Sequence, residues 1–223
     1  MKQKILFVVA AVALLLVFAV GAWVYKSGGT DEPAQLSDPA YTRLVRMHSP
    51  TLGKPDAKVQ LVEFLDPACG PCASFYPMVK KILDANPDEI RLVLRYAAFH
   101  KGSGGVVAVL EAAKKQGKFW PALEALLASQ ADWTQNHTAQ VGRVWKHLEG
   151  IGLNLEQVRA DMTAPAIARV IAQDLDDAKA LNVNKTPSFF VNGQPLLNFG
   201  YEPLKAMVDE ALGSAPSPEA PKD

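Results

Sequence analysis

The two cysteines of this 223-residue chain are its clearest candidates for chemistry. Cys69 and Cys72 are separated by Gly70 and Pro71, and no other cysteine occurs. A framework of structural disulfides uses several cysteines spread along a chain, whereas two cysteines this close cannot cross-link distant segments. The pair therefore indicates thiol chemistry. In such a site Gly70 would permit the close approach of a partner backbone, and Pro71 would stiffen the spacer.

The residues around this pair predict that it opens a helix. Residues 59–65 are mainly apolar and β-branched, as is typical of a buried strand, and apolar residues with helical spacing follow over 75–83. Unpaired N–H groups and the helix dipole at a helix N-terminus favour an anion and lower a cysteine's pKa. We therefore expect Cys69 to attack a disulfide as the nucleophile. Cys72, one turn further on, would resolve the mixed disulfide.

One acidic residue interrupts the apolar strand that precedes the cysteines. Glu63 lies in the middle of the predicted strand 59–65, where burial would raise its pKa. A role as proton acceptor for Cys72 would explain an acid in this place. Arg95, inside a second predicted strand over 91–96, is a candidate ion-pair partner. The alternative is a solvated Glu63 on an edge strand, but its apolar neighbours favour burial.

The predicted elements follow a βαβ order, then a block of helices, then a hairpin and a final helix. The strands 59–65 and 91–96 should be parallel, because a helix joins them. Asn192-Gly193 predicts a hairpin turn, and residues 202–212 predict the last helix. Between the second predicted strand and this hairpin, helical patterns cover about 102–181, with helices predicted over 106–115, 119–128, 135–148, 155–163 and 165–180. This order predicts an α/β fold with a helical insertion.

The run from Glu63 to Cys72 resembles the active-site region of the thioredoxin superfamily. Cys-Gly-Pro-Cys with Pro77 eight residues after the first cysteine is similar to thioredoxin itself. The long helical block, and Thr186-Pro187 ahead of a strand, resemble the DsbA branch instead. The resemblance implies a thioredoxin-like fold over 49–213, with a DsbA-like helical subdomain inserted at about 102–181.

This resemblance also implies roles for particular residues, as a protein thiol–disulfide oxidoreductase without a cofactor. The family's nucleophile and resolving cysteine correspond to Cys69 and Cys72, and its buried carboxylate corresponds to Glu63. Pro187 corresponds to the cis-proline that faces the motif, and the backbone of Thr186 to the segment that pairs with substrate. The spacer Gly70-Pro71 would border the same substrate surface. DsbA-type oxidases usually carry a histidine in that spacer, so its absence here predicts a weaker oxidant.

The first 25 residues predict export of the domain. Lys2 and Lys4 precede an apolar run over 5–25, which as a helix would be about 30 Å long and would match a bilayer. Basic residues at the start favour a cytoplasmic N-terminus. We therefore expect a single-pass anchor in the cytoplasmic membrane with the catalytic domain outside, periplasmic in a Gram-negative host. A removed signal peptide is the alternative. Residues 26–48 would be a tether with a short helix, and 214–223 a disordered tail.

Charge and ligand counts restrict the partners. With a formal net charge of zero, the chain has no overall positive electrostatic field that would attract nucleic acid. No further cysteine exists to complete a zinc site. The expected partners are exported cysteine-containing proteins and a membrane redox partner that recycles the dithiol. A tethered chaperone or Cu(I) carrier on the same fold is the non-enzymatic alternative. His100, just after the second strand, is expected at the surface or at the rim of the site.

Overall fold

The strands and helices are described for residues 39–213 in a computed structural model of the chain. The predicted anchor, the first part of the tether and the predicted tail lie outside these residues. In chain order the elements are α1 (Pro39–Leu44), β1 (Thr51–Leu52), β2 (Val59–Leu65), α2 (Gly70–Ala85), β3 (Ile90–Tyr96), α3 (Ser103–Lys115), α4 (Phe119–Ala128), α5 (Gln130–Trp133), β4 (Thr134–Gln135), β5 (Thr138–Ala139), two 3₁₀ turns (Val141–Arg143 and Trp145–His147), α6 (Leu155–Asp161), α7 (Pro165–Ala180), β6 (Ser188–Val191), β7 (Gln194–Pro195) and α8 (Tyr201–Leu212).

A five-stranded mixed sheet in the order β1-β3-β2-β6-β7 forms the centre of the fold. Two of its inner strands, β2 and β3, are parallel, with Val59 opposite Ile90 and Leu65 opposite Tyr96. The pairs β1–β3, β2–β6 and β6–β7 are antiparallel. The helix α2 joins β2 to β3, so the predicted βαβ unit is confirmed.

Helices cover both faces of this sheet. On one face, Leu61 packs with Phe75 of α2 and Leu204 of α8. On the other, Phe64 packs with Leu44 of α1 and with side chains at the end of α7. Burying one such side chain stabilises the fold by about 1.5–3 kcal/mol. The pleat of β2 therefore decides which side chains lie beneath α2, because alternate residues of a strand point to opposite faces.

The segment inserted between β3 and β6 is mostly helical but contains a hairpin that the sequence did not predict. The predicted helices over 119–128 and 165–180 match α4 and α7, whereas the helix predicted over 135–148 is wrong. There the chain forms the β4–β5 hairpin, whose two turn residues Asn136 and His137 have φ of 48° and 56°. Such a turn matches the strand twist of a hairpin. Tertiary pairing supports it, because the Ala139 N–H donates to the Lys101 carbonyl at 2.8 Å.

None of the helices within residues 39–213 has the length and apolar character needed to cross a bilayer.

Candidate active site

The cysteine motif begins α2, as predicted. Cys69 is the N-cap residue, with φ −80° and ψ 118°, and Pro71 lies in the first turn, where its missing N–H costs no hydrogen bond. Both cysteines are free thiols. Cys69 is 4 % exposed and Cys72 is fully buried, whereas Gly70 and Pro71 are exposed. Both cysteines are thus buried in the free protein, and Cys69 is the one that borders the exposed spacer.

The two thiols have opposite acidities. The pKa of Cys69 falls to about 6, first because the Cys72 side chain hydrogen-bonds to it; burial opposes the fall, and the side chain of Thr186 supports it. The pKa of Cys72 lies far above its ordinary value, because burial penalises its thiolate and because Cys69 and Glu63 act in the same direction. Near neutral pH the pair therefore holds one thiolate, at Cys69, and one thiol, at Cys72.

The loop before β6 lies directly against this thiolate. The Cys69 Sγ is 3.2 Å from the carbonyl oxygen of Thr186, which accepts a hydrogen bond from the thiol form. The Thr186–Pro187 peptide bond is cis, as the family resemblance implied. Thr186 is half-buried and Pro187 is buried. Residues 117 positions apart in the sequence are therefore in contact at the site.

Glu63 lies under the cysteines, on the face of the sheet that α2 covers. It is fully buried, and neither carboxylate oxygen has a hydrogen-bond partner among the described residues. Burial, with the nearby charge of Cys69, raises the pKa of Glu63 to about 8. The predicted burial of Glu63 is confirmed, and the carboxyl is mostly protonated at neutral pH.

The expected ion pair between Glu63 and Arg95 is wrong. In the parallel register Glu63 is opposite Leu94 and Arg95 is opposite Phe64, so the two side chains point to opposite faces of the sheet. Arg95 is buried on the α7 side, where its Nη2 lies 2.7 Å from Asp174 and 2.8 Å from Asp177. Because Arg95 is opposite Phe64 and not opposite Glu63, an offset of one residue in the strand pairing places the two charged side chains on different faces of the sheet.

A buried carboxylate that the sequence analysis missed lies between β2 and the motif. Asp66 accepts hydrogen bonds from the N–H groups of Ala68 at 2.9 Å and His100 at 2.8 Å, and from the Ser103 hydroxyl. Its Oδ2 also lies 2.7 Å from Nδ1 of His100. The sequence offered one clue, since an aspartate before proline at the end of a strand commonly bonds nearby backbone N–H groups.

A second residue that the sequence analysis missed comes from the helical insertion. Gln130, at the start of α5, is nearly buried, and its Nε2 donates to the carbonyl oxygens of Pro67 at 2.7 Å and Cys69 at 2.9 Å. These bonds fix the turn that carries the nucleophilic sulfur. No local pattern could reveal them, because donor and acceptors are more than 60 residues apart.

The described residues contain no group of three or more histidine, cysteine, aspartate or glutamate side chains arranged to hold a metal ion. The arrangement provides a thiolate next to the exposed spacer, a fully buried thiol beneath it and a carboxyl group with a pKa of about 8. These are the components of thiol–disulfide exchange.

The fold and this dithiol define the class of thioredoxin-like thiol–disulfide oxidoreductases. The family model described as "Thioredoxin" matches residues 46–210, and the chain belongs to that family. A thioredoxin-like oxidoreductase from Silicibacter pomeroyi is 32 % identical, with a TM-score of 0.67 over 78 % of this chain and 98 % of that one. BdbD from Bacillus subtilis is 26 % identical, with a TM-score of 0.64 over 75 % and 94 %. The α-DsbA2 of Wolbachia pipientis, 18 % identical with a TM-score of 0.66 over 76 % and 90 %, shares the fold.

Curated relatives match a segment of a much longer protein. The Na⁺/H⁺ antiporter NhaA of Herminiimonas arsenicoxydans is 29 % identical over 181 residues, which are 81 % of this chain and 28 % of that protein. NhaA 3 of Salinispora tropica is 31 % identical over 167 residues, which are 73 % and 24 %. The chain thus spans about a quarter of the length of these relatives.

Proposed function

We propose that this protein is a protein thiol–disulfide oxidoreductase that works through Cys69 and Cys72. The observation that carries the proposal is the contrast between the two sulfur atoms: one borders the exposed spacer and has a pKa of about 6, and the other is fully buried and has a strongly raised pKa. A reversible exchange enzyme needs this order, because the thiolate must attack first and the second thiol must stay protonated until the mixed disulfide exists.

The reaction proceeds in two displacements. The Cys69 thiolate attacks one sulfur of a client disulfide; the client S–S bond breaks, and its other sulfur leaves as a thiolate that takes up a proton. Cys72 then loses its proton and attacks the Cys69 sulfur, so that the mixed disulfide breaks and the second client thiolate departs. The client gains two electrons and the enzyme ends as a Cys69–Cys72 disulfide. The reverse sequence oxidises a client dithiol.

Glu63 is the proposed proton acceptor for Cys72 in the second displacement. A group transfers protons best when its pKa lies near the working pH, and burial brings the pKa of Glu63 to about 8. Once Cys69 is held in the mixed disulfide its negative charge is gone. That charge is one of the causes of the raised pKa of Glu63, so its loss favours the ionised carboxylate that can take up the proton.

The client is proposed to bind as an extended segment along the rim formed by the spacer and the loop before β6. Gly70 and Pro71 are exposed beside Cys69, and the backbone of Thr186 borders the same sulfur. An extended client backbone could pair with Thr186 as an added strand does. Pro187, buried behind Thr186, would then set the depth of this rim.

The proposed clients are exported proteins, and the proposed location is the outer face of the cytoplasmic membrane. Both rest on the sequence, in which two lysines precede the apolar run over 5–25. On this proposal residues 49–213 act outside the membrane, where disulfides persist, and a membrane redox partner recycles the dithiol.

Reduction of insulin by dithiothreitol, followed as turbidity, tests the proposed activity on the full chain. Wild type should accelerate the reaction, and Cys69→Ser should abolish the acceleration. Thr163→Ala is the matched control, since its exposed hydroxyl bonds at 3.0 Å to the Ala160 carbonyl in the helical insertion, away from the cysteines. A wild-type protein that leaves the rate unchanged and binds Cu(I) tightly through both thiols would instead be a carrier, and the proposal would fail.

A further inference from the structure

A buried aspartate fixes a histidine at the edge of the cysteine site. Asp66 is completely buried, and its carboxylate holds both the backbone N–H and the ring Nδ1 of His100. The His100 side chain is 23 % exposed, so it sits at the boundary between this carboxylate and solvent. The bond to Nδ1 determines the ring's orientation and lets the protonated ring form an ion pair with Asp66.

The loop that carries His100 is itself fastened to the helical insertion. The ring of His100 stacks on His137 in the β4–β5 turn, with 5.7 Å between the centroids and 19° between the planes. Next to it, Lys101 pairs with Thr138 of the same hairpin. The position of the imidazole therefore depends on tertiary contacts and not on a free surface rotamer.

We propose that His100, positioned by Asp66, supplies the positive charge that stabilises the Cys69 thiolate, in place of a donor from the Gly70-Pro71 spacer. This inference rests on the proposed function of the dithiol and adds a residue to it. Asp66 acts through His100 and is a positioning residue. Its own negative charge is distributed over hydrogen bonds to the backbone and to Ser103, which limits its repulsion of the thiolate.

The electrostatics around the ring agree with this assignment. The charge of His100 is among the influences that lower the pKa of Cys69. In the described part of the chain, the titratable groups in contact with the His100 ring include Asp66, from the loop after β2, and His137, from the hairpin. The backbone carbonyl of Asp66 also accepts the Cys69 N–H at 3.0 Å, so the residue that anchors the ring also holds the start of α2. Lys101, the next residue in the loop, is exposed.

A second histidine–aspartate pair in the same fold provides a matched control. His48 Nε2 lies 2.6 Å from Asp174, its side chain is also 23 % exposed and its aspartate is also fully buried. That pair belongs to the Arg95 cluster on the α7 face of the sheet, and His48 is not among the influences on Cys69. His48→Gln therefore removes the same kind of contact without changing the charge near the thiolate.

The test measures the rate of alkylation of Cys69 by iodoacetamide against pH in the reduced full chain. His100→Gln should move the midpoint upward by about half a pH unit, less than an adjacent opposite charge contributes, because His100 is the weakest of the influences on Cys69. His48→Gln should leave the midpoint at the wild-type value. His100→Lys, which restores a positive charge, should recover at least half of the shift. The backbone bond from residue 100 to Asp66 survives in each His100 variant, so the loop keeps its anchor.

Three results would overturn the inference: an unchanged midpoint in His100→Gln, an equal shift in His48→Gln, or a His100→Lys midpoint no lower than that of His100→Gln. Alkylation needs no protein client, so this readout is independent of the insulin assay. Failure of wild type to reduce insulin would reject the proposed function. If wild type reduces insulin but the midpoint of Cys69 alkylation is the same in His100→Gln, only the role of His100 is rejected.

Discussion

At the scale of single residues, two chemically identical thiols acquire different pKa values from their surroundings. Cys69 accepts hydrogen bonds at the N-terminus of α2, whereas Cys72 lies one turn further on, buried near Glu63, whose carboxyl group has no hydrogen-bond partner among the described residues. The same local arrangement produces both effects, because the thiol of Cys72 stabilises the thiolate of Cys69 while its own ionisation is suppressed. The order of the two chemical steps follows from this contrast.

The contrast predicts different trapping behaviour for the two serine variants. Cys72→Ser should accumulate mixed disulfides with clients through Cys69, because the thiolate still attacks but no thiol resolves the product. Cys69→Ser should accumulate none, since Cys72 is buried and protonated. Non-reducing gels after quenching with acid and alkylation would measure this. Adducts through Cys72 in the absence of Cys69 would reverse the assignment of roles.

The raised pKa of Glu63 predicts a cost in stability that depends on pH. Its folded pKa of about 8 lies well above the ordinary value of a glutamate, so Glu63 does not lower the stability of the folded protein below about pH 4.5, and it lowers that stability progressively as the pH rises toward 8. Glu63→Gln cannot titrate. Relative to wild type, the reduced variant should therefore gain up to roughly 3 kcal/mol of unfolding free energy between pH 5 and 7.5. Urea unfolding at both pH values measures the gain.

The same variant should slow the second displacement, since an amide cannot accept the proton of Cys72. Glu124→Gln is a suitable control, because Glu124 is partly exposed and hydrogen-bonds the Tyr76 hydroxyl at 3.3 Å. A difference in unfolding free energy between Glu63→Gln and wild type that does not change with pH would show that Glu63 is ionised in the folded protein, which contradicts its raised pKa.

At the scale of elements, the ion cluster around Arg95 joins β3 to α7 and to the segment after α1. Arg95 forms ion pairs with Asp174 and Asp177, and all three side chains are fully buried. Arg46 also bonds Asp177, at 2.7 Å. The pKa values of both aspartates are lowered: burial alone would raise them, but hydrogen bonds from His48 and the arginines prevail. The cluster thus holds the helix that leads into the loop of Thr186 against the sheet.

Removing the central arginine should therefore destabilise the fold strongly. Arg95→Met leaves two buried carboxylates without their shared partner and should lower the unfolding free energy by about 3–5 kcal/mol at pH 7. Arg91→Met, in the same strand, is the control: Arg91 is half-buried and bonds the Pro55 carbonyl at 3.4 Å, so its loss should cost less than about 1 kcal/mol. Thermal or urea unfolding measures both. Equal losses would mean that the cluster contributes no more than packing.

Elements with regular patterns could be predicted from the sequence, and elements defined by distant contacts could not. The residues of β2 and α7 were predicted to the residue because apolar spacing and a proline at the helix start determine them locally. The β4–β5 hairpin was missed because its turn is Asn136-His137 rather than Asn-Gly, and because its support comes from Lys101. Within the site, Gln130 was missed for the same reason, whereas Asp66 left a local clue, an aspartate before a proline at the end of a strand.

At the scale of the whole molecule, the dithiol potential depends on how much the entire fold favours the thiolate over the disulfide. Each group that stabilises the thiolate makes the disulfide a stronger oxidant. Here the stabilising groups come from the helix start, from Thr186 and from the loop after β3, while the spacer Gly70-Pro71 adds no charge and no side-chain donor. Glu63 opposes a second negative charge at Cys72.

This balance predicts a weaker oxidant than relatives with a histidine in the spacer, suited to reduction or exchange when a membrane partner supplies electrons. Pro71→His adds a donor beside the thiolate and should shift the equilibrium with glutathione about tenfold toward the dithiol, which corresponds to about 30 mV. Pro77→Ala is the control, since Pro77 lies inside α2 and is exposed, one and a half turns beyond the spacer. Equilibrating each full chain with glutathione mixtures and trapping with acid measures the shift. A wild-type protein that stays dithiol while glutathione is largely oxidised would be a strong oxidase, and the argument from the spacer would fail.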